Sequence, residues 1–437
     1  MMRDVLRKKP DTARLKSLLK PVLRWLTLPL DAIAAPLLFI AAFRSRAAVS
    51  EALSVVWGPT PLKPISFNSR ALNKAGVKSA TSVDGLYAIN RAEDFDEYLQ
   101  SFSLSLPYFG VIIGRYLRFA SLLQRFNVVI TCFDGGFLSG TNLRFLEHRY
   151  LKLGKKKLIV WPYGADTYIP SAMNDKLFRD GLLADYPGLA CTETRTMRQI
   201  RYFSEHADVV IANVPHDEAV PRKDVLTIAC YCVDTDEWSP DPLFRHLGDG
   251  STSKPPVRIF HCPNHRNVKG TRYLIAAFEN LRRQGLNVEL EILERVSNEK
   301  IRASMRQADI VAAQFLYGYA STEIEAMSLA KPVLSNLENK QYYETLRSNS
   351  FLQSCPIVSV TPQMLEAALR RLILDPSQRM TVGARGREYV QQFHSFPAQG
   401  RFWRQVLAYS FGEITAYALQ EWWTSAEHSR TSADVRS

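Results

Sequence analysis

Residues 308–336 read ADIVAAQFLYGYASTEIEAMSLAKPVLSN and give the clearest indication of the chain's architecture. Two apolar strand-like runs, 309–315 and 332–335, flank a turn rich in glycine and hydroxyl residues and a short amphipathic helix. This order predicts one strand–turn–helix–strand unit of a parallel α/β sheet. In such sheets ligands bind where the turns open at the carboxyl ends of the strands. The stretch therefore predicts both a fold class and a place for a ligand.

The turn of this unit contains a candidate anion site. We expect backbone N–H groups near Ser321 and Thr322 to hold a phosphate, because the first turn of a helix has no internal acceptors for them. Glu325 lies one helical turn further along, where the helix dipole favours a carboxylate even without a ligand. Beside a phosphate, this carboxylate would contribute to binding only by holding another group, such as sugar hydroxyls.

The composition indicates an ordinary globular protein of two domains. The chain has 437 residues, of which 46% are hydrophobic and 22% charged, and this length exceeds the usual size of a single core. Residues 1–46 contain ten Lys or Arg against three Asp, so they carry a net +7 of the formal +12. Because the remainder is only mildly basic, a broad nucleic-acid-binding surface is not indicated.

An apolar run at residues 22–43 has two interpretations. Charged residues and prolines interrupt the run, and the uncharged part, 32–43, is too short to cross a bilayer. Arg44 and Arg46 stand where a secretory signal would need small residues for cleavage. Residues 1–46 could lie on the cytoplasmic face of an anionic inner membrane as a peripheral attachment. The alternative is a surface helix packed on the body of the protein.

Alternating strand and helix patterns divide the rest of the chain. Strands followed by helices predict parallel βαβ units in two successive Rossmann-like domains. A stretch rich in Pro, Gly and Ser between them reads as a linker. The pattern also predicts a short helix around 94–99. The expected divisions are an N-terminal segment 1–49, a first Rossmann-like domain 50–235, a linker 236–256, a second Rossmann-like domain 257–397, a helix 398–423 that packs back on the first domain, and a disorder-like tail 424–437.

The cysteines indicate a reducing compartment. Six are scattered along the chain, mostly in apolar runs, which is typical of free buried thiols. Cys230 and Cys232 are too close together for the usual pair of zinc ligands, and the sequence has no second pair to complete a zinc site. We therefore expect reduced cysteines and a cytoplasmic protein.

A second loop of the later half carries cations. Lys269 and Gly270 stand where a loop enters a helix, with His265 and Arg266 just before them. Three potential cations and a helix start are a plausible diphosphate site. The spacing is not that of a P-loop, and no GxGxxG is present. Because this loop and Glu325 both follow strands of one predicted sheet, they are expected to face each other across a crevice.

With these motifs, the second half resembles the GT-B glycosyltransferases of the retaining family 4 type, in a bacterial subset. The matching runs are HCPNHRNVKG at 261–270, ADIVAAQ at 308–314, and Tyr317 through Glu325 to the Lys-Pro-Val at 331–333. The first half matches more loosely, through WPYGAD at 161–166 and CVDTDEW at 232–238. The resemblance implies an α/β GT-B fold, in which two Rossmann-like domains with parallel sheets face a central cleft.

The resemblance also implies a donor, an acceptor and their residues. A nucleotide-diphosphate sugar would be the donor, with no other cofactor and no metal required. Glu325 would accept hydrogen bonds from the ribose, and Lys269 aided by Arg266 would neutralise the diphosphate, since fixed cations lower the barrier to its departure. The donor-binding residues implied are Asn264, His265, Lys269, Gly270, Tyr317, Gly318, Tyr319, Ser321, Thr322 and Glu325. The acceptor-side candidates are Asp134, Gly135, Gly136, Gly164 and Asp166.

Two positions depart from the family pattern. Tyr317 stands where the first Glu of the family's E-x7-E pattern is expected, and Trp161-Pro-Tyr163 replaces the histidine of its H-G-x-D segment. The leading hypothesis is a glycosyltransferase of bacterial envelope or exopolysaccharide assembly, acting on a glycan or lipid-linked glycan. The alternatives are a donor-binding but inactive scaffold protein and a sugar-nucleotide epimerase on the same fold.

Overall fold

The computed structural model describes residues 24–46, 52–87, 90–106, 108–215, 217–228 and 231–419. The expected tail 424–437, most of the basic N-terminal residues and Cys230 lie outside the described residues. Within these residues the chain is an α/β protein with two parallel sheets, as the sequence predicts.

The first sheet has seven strands in the order β3-β2-β1-β4-β5-β6-β7. Its central strands are short runs of Val and Ile, which suit positions covered on both faces. Val55 and Trp57 of β1 enter one apolar cluster and Val56 enters another on the opposite face. The strands are β1 (Ser54–Trp57), β2 (Lys78–Val83), β3 (Glu97–Tyr98), β4 (Val128–Thr131), β5 (Lys157–Val160), β6 (Val209–Asn213) and β7 (Val225–Thr227).

Helices cross the sheet's faces between β1 and β2, β3 and β4, β4 and β5, and β5 and β6, whereas β2–β3 and β6–β7 are joined without an α-helix. Each recorded pairing is parallel, so the loops that follow the strands open on one edge. The helices of this half are α1 (Leu28–Arg44), α2 (Lys63–Lys74), α3 (Phe109–Arg125), α4 (Glu147–Leu153), α5 (Lys176–Asp185) and α6 (Gly188–His206).

The second sheet has five parallel strands in the order β12-β11-β10-β8-β9. Its strands are β8 (Val257–His261), β9 (Val288–Ile292), β10 (Ile310–Gln314), β11 (Val333–Ser335) and β12 (Val358–Ser359). The helices that follow β7 are α7 (Arg266–Lys269), α8 (Thr271–Arg283), α9 (Asn298–Gln307), α10 (Ser321–Ser328), α11 (Lys340–Asn349), α12 (Leu365–Leu374), α13 (Pro376–Phe393) and α14 (Phe396–Phe411).

The last helix returns to the first sheet and joins the two halves. The Trp403 ring of α14 packs edge-on against Trp57, with ring centroids 4.6 Å apart. Gly400 lets α14 approach α2 closely, since a Cβ there would lie 2.7 Å from the carbonyl oxygen of Ala71. One apolar cluster therefore runs through both halves.

Helix α1 packs on the first half with one face and exposes apolar residues on the other. Ala34, Leu38 and Ala42 are buried against α3 and α4. Asp31, which interrupts the apolar run in the sequence, is also buried and accepts hydrogen bonds from Tyr116 and Asn142. No helix in the described part of the chain is both long and apolar enough to span a bilayer.

Two predicted helices differ from the structure. Residues 94–99 do not form one helix: they contribute to a 3-10 turn, to β3, which pairs with β2, and to the start of a second turn. Edge pairing to Ser82 and Val83 thus prevails over the short amphipathic pattern. The predicted helix 398–423 ends at Phe411, because Gly412 adopts φ +77° and caps it.

Candidate active site

The second sheet offers a ligand crevice between β8 and β10. The chain passes from β8 to β9 on one side and from β10 to β11 on the other, so the connections diverge between these two strands. Loops that part in this way leave a crevice at the carboxyl edge. Cys262 follows β8 and Phe315 follows β10, which places the two sequence motifs at this crevice.

The first turn of α10 is fixed by Glu323. This buried carboxylate accepts hydrogen bonds from the Ala320 amide, at 3.2 Å, and from the Ser335 hydroxyl, at 2.7 Å. The first amides of the helix, at Ser321 and Thr322, have no acceptors within the helix itself. Glu323 thus stabilises the turn before α10, and the amides of Ser321 and Thr322 at the positive end of the helix remain available to an anion.

Glu325 lies among charges from both halves of the molecule. Burial raises the pKa of its carboxyl to about 7, and the neighbouring carboxylates of Glu237 and Glu323 also raise it. Lys63 and Arg302 oppose this effect. Since Lys63 opens α2 of the first half, Glu325 lies where the two halves meet.

Cys262 shows that the two predicted motifs come together. Burial raises the pKa of its thiol to about 12; Glu325 raises it too, whereas Lys269 and a hydrogen bond with Thr322 lower it. The thiol therefore has the carboxylate, the ammonium and the start of α10 as neighbours. Lys269 is itself buried and donates a hydrogen bond to the side chain of Gln314 at the end of β10.

The other predicted cations point elsewhere. Arg266 forms a bidentate ion pair with Glu294, with N–O distances of 3.0 and 2.8 Å. The His265 ring lies against Tyr186, with centroids 4.2 Å apart. Asn264 is exposed. Of the three cations predicted to bind diphosphate, Lys269 is the one that the structure places beside Cys262.

Helix α5 of the first half reaches into the loop before Lys269. The carboxylate of Asp185 accepts hydrogen bonds from the Val268 amide and from the Asn267 side chain, both at 2.8 Å. The fit is close, since a Cβ at Gly181 would lie 2.5 Å from the Leu316 side chain. The amide of Val268, in the loop that the sequence predicts to hold a diphosphate, thus donates its hydrogen bond to a carboxylate of the protein.

Tyr317, at the position where the E-x7-E pattern of the resembled family has its first Glu, packs between the halves. Its ring lies 4.4 Å from that of Phe178 in α5, tilted by 42°. Tyr168 is a further neighbour, and burial raises its pKa well above the usual value, with Tyr317 contributing. The aromatic ring therefore fills an apolar contact where the family pattern has a carboxylate.

The next two positions support the loop. A Cβ at Gly318 would lie 2.5 Å from the carbonyl oxygen of Asn336, so only glycine fits the close approach. Tyr319 is buried and its hydroxyl hydrogen-bonds with Tyr389, at 2.8 Å, and with His394. Here backbone groups, and not these side chains, are the groups available to a donor.

The first sheet has a matching crevice between β1 and β4, where its connections diverge. Asp134 follows β4, and its carboxylate accepts hydrogen bonds from the Thr60 hydroxyl, at 3.0 and 2.8 Å, and from the Tyr163 hydroxyl, at 3.3 Å. Burial raises the pKa of Asp134 to about 6. The structure thus places one acceptor-side candidate directly in a ligand crevice.

The two glycines after Asp134 are required by packing. Gly135 has φ +145°, and a Cβ at Gly136 would lie 2.3 Å from a carboxylate oxygen of Glu147. Glu147 is buried and accepts hydrogen bonds from two amides, those of Phe137 and Leu138. This turn is therefore built around an internal carboxylate.

Asp166 has a structural position. Its buried carboxylate accepts hydrogen bonds at 3.0 Å from three amides, those of Phe133, Tyr163 and Gly164. Burial and the charge of Asp134 raise its pKa to about 8, although the amides favour the ionised form. Gly164 has φ +126° within the same turn. Through these hydrogen bonds Asp166 joins the loops that follow β4 and β5.

Several residues of the site were not predicted from the sequence. They contact predicted residues from distant parts of the chain, and they are Thr60, Lys63, Asp185, Glu237, Cys262 and Arg302. For two of them the sequence holds a local signal: Thr60 and Cys262 lie just after the predicted strands β1 and β8, where ligand-binding residues are expected. Among the described residues, no group of three or more His, Cys, Asp or Glu side chains is arranged to hold a metal ion.

Two parallel sheets whose carboxyl edges face each other across crevices define the GT-B fold, and solved structures bear this out. The chain is similar to sucrose-phosphate synthase from Thermosynechococcus elongatus, with 16% identity over 83% of this chain and 100% of the other and a TM-score of 0.51. It is also similar to HepE from Anabaena in complex with UDP-glucose, with 12% identity, 82% and 99% coverage and a TM-score of 0.53. No protein-family model and no curated protein matches the sequence.

Proposed function

We propose that this protein transfers a sugar from a nucleotide-diphosphate sugar to a glycan acceptor, with retention of configuration, as a glycosyltransferase of the family 4 type. One observation carries the proposal. Glu325, Lys269 and the start of α10 converge around Cys262 in the crevice between β8 and β10. A carboxylate beside a cation and a helix start matches a ligand that carries both hydroxyls and phosphates.

The proposed roles follow from charge. Breaking the bond between a sugar and a diphosphate builds negative charge on the leaving group, and Lys269 and the amides at the start of α10 would stabilise it. Glu325 would accept hydrogen bonds from the ribose hydroxyls. Asp134, in the facing crevice of the first sheet, would accept a hydrogen bond from the acceptor hydroxyl.

The wider setting is also part of the proposal. We infer an acceptor of the envelope or exopolysaccharide type, carried on a lipid, and peripheral attachment to the cytoplasmic face of the inner membrane through residues 1–46. The positive charge of that segment and the exposed apolar face of α1 support the inference. A metal ion is not expected to be required.

The donor test measures nucleoside diphosphate released from UDP-, GDP- and ADP-sugars by purified protein. The similarity to a structure that holds UDP-glucose makes a UDP-sugar the first donor to try. Acceptor-dependent release should fall at least about a hundredfold in Glu325→Ala and Lys269→Ala, as when a charged contact in a site is lost. Glu279→Ala, an exposed carboxylate on α8, is the matched control and should act as wild type.

Tyr317 favours one competing function. Because an aromatic contact with Phe178 replaces the family's first carboxylate, a donor-binding scaffold without turnover is the second candidate. Tight nucleotide-sugar binding with no release under any acceptor would establish the scaffold and overturn transfer. Conversion of the donor to an isomeric sugar nucleotide would instead identify an epimerase.

A further inference from the structure

A large cleft opens beside the acceptor crevice of the first half. It has a volume of about 850 Å³ and lies between the start of α1, the turn before α4 and helix α6. Asp134, Gly135 and Gly136 line it, so it is continuous with the loop that holds the acceptor-side carboxylate. This volume is sufficient for a ligand larger than a single sugar. None of the cleft's basic residues has a role in the donor site.

Four arginines line this cleft, namely Arg24, Arg144, Arg195 and Arg198. Burial lowers the pKa of Arg144, and the charges of the other three lower it further, which shows that the four lie close together. Within the described residues, none of the four has a carboxylate at ion-pair distance. Four clustered guanidinium groups that form no ion pair with any described carboxylate favour a multivalent anion, and arginine binds phosphate with two parallel hydrogen bonds.

An apolar strip begins at the mouth of the cleft. Trp25 and Leu28 line the cleft and are also 74% and 44% exposed. Further along α1, Phe39 and Phe43 continue this side of the helix at helical spacing. Ile33, Leu37 and Ile40 are exposed on the neighbouring side. A helix with one face buried in the protein and large apolar side chains on the other is typical of elements that lie in a membrane interface.

We propose that the arginine-lined cleft binds the phosphate or diphosphate group of a membrane lipid that carries the acceptor glycan, while the hydrocarbon chain lies along the exposed face of α1. The inference rests on the glycosyl transfer proposed above and names the chemical class of its acceptor. The arginines hold the head group at the membrane surface. Asp134, which lines the same cleft, then faces the sugar that the lipid phosphate carries.

The test measures binding of the full-length protein to neutral phosphatidylcholine vesicles that contain a polyprenyl diphosphate, by co-flotation. The variant R195Q/R198Q removes two exposed charges of α6. The dissociation constant should rise at least about tenfold, because two charge-assisted contacts are lost. Arg201→Gln removes an exposed charge of the same helix outside the cleft and should bind as wild type. R195K/R198K should recover part of the affinity, which a folding defect would not.

Other outcomes overturn the proposal. If R195Q/R198Q binds the vesicles as tightly as wild type, these arginines do not contact the lipid head group. Equal binding to vesicles with polyprenol that lacks phosphate shows that only the hydrocarbon is recognised. Inorganic pyrophosphate binding as tightly as the lipid assigns the cleft to a soluble diphosphate. Because this assay involves no sugar transfer, arginine-dependent binding without nucleoside diphosphate release would overturn only the transferase function.

Discussion

Asp134 gives the acceptor side a pH dependence at the scale of a single residue. Burial raises its pKa to about 6; Asp84 adds to the increase, and hydrogen bonds from Thr60 and Tyr163 oppose it. In the role proposed for Asp134, its carboxyl accepts a hydrogen bond from an acceptor hydroxyl, and the ionised form is the stronger acceptor. We therefore expect kcat/KM for the acceptor to fall as the pH decreases through about 6, and Asp134→Asn to lower the rate and abolish that acid limb.

A pH profile of both proteins with saturating donor measures this dependence. Glu325, whose pKa is raised to about 7, would give an acid limb of its own through donor binding. Saturating donor separates the two effects, since it suppresses the contribution of donor affinity. An acid limb at the same pH in Asp134→Asn would mean that Asp134 does not contact the acceptor.

Gly136 allows a stability prediction with an internal control. A Cβ at this position would lie 2.3 Å from the buried carboxylate of Glu147, which also serves the amides of Phe137 and Leu138. Gly136→Ala should lower the free energy of unfolding by about 2–3 kcal/mol, because the acid must move away from its donors. Urea denaturation measures the change. Gly188→Ala, at the start of α6 with open space around it, should be neutral or slightly stabilising.

The sequence identified individual residues where a local motif held them together. Glu325 and Lys269 were predicted on one edge of one sheet, and they share Cys262 as a neighbour. Arg266 stands three residues before Lys269, yet it pairs with Glu294, because a side chain's direction depends on partners distant in sequence. Asp185 is the clearest omission, since nothing in the sequence around it indicates a contact with Val268.

At the scale of elements, helix α5 holds the loop before Lys269. Asp185 at its end accepts two hydrogen bonds at 2.8 Å, from the Val268 amide and the Asn267 side chain. Asp185→Ala should lower the free energy of unfolding by about 1–2 kcal/mol, since a partly buried amide loses a charged acceptor. The same change should raise affinity for a nucleoside diphosphate, because it frees a helix-start amide near the proposed phosphate site.

Calorimetric titration and urea denaturation measure these two opposite effects. Asp180→Ala, an exposed carboxylate of the same helix that pairs with its neighbour Arg179, is the matched control. It should change neither quantity appreciably, because exposed pairs contribute little. Lower stability with unchanged nucleotide affinity would show that the diphosphate does not approach the Val268 amide.

Elements were predictable where hydrophobic periodicity was strong. The core strands of the second sheet and helix α8 have apolar spacings that tertiary contacts do not override. Helix α1 was ambiguous, because apolar residues occur on both its faces. The buried hydrogen bonds of Asp31 with Tyr116 and Asn142 settle which face turns inward, and neither partner is close in sequence.

At the scale of the whole molecule, two parallel sheets follow from the alternation of strands and helices, but their contact does not. Tyr317 against Phe178 and Trp403 against Trp57 join residues that are far apart in the sequence. Such contacts do not alter the hydrophobic periodicity of either segment, so the sequence pattern does not predict them. The facing of the two halves was thus available only through the family resemblance.

The uneven charge of the molecule predicts how it attaches to membranes. Residues 1–46 carry a net +7, and α1 exposes Ile33, Leu37 and Ile40. Binding to vesicles that contain anionic lipid should therefore have a salt-sensitive part, from the charges, and a salt-resistant part, from the apolar side chains. Deleting residues 1–20, which hold seven Lys or Arg and two Asp, should abolish most of the salt-sensitive part.

Replacing Ile33, Leu37 and Ile40 by Ser should weaken the salt-resistant part by about 1 kcal/mol per side chain, because each is only about half exposed to begin with. Deleting all of residues 1–46 would be a poor experiment, since Ala34 and Leu38 belong to the core of the first half. Co-sedimentation across a salt series measures both parts. Full-length protein that stays in the supernatant at low salt would contradict membrane attachment, and the charge of this segment would then need another partner.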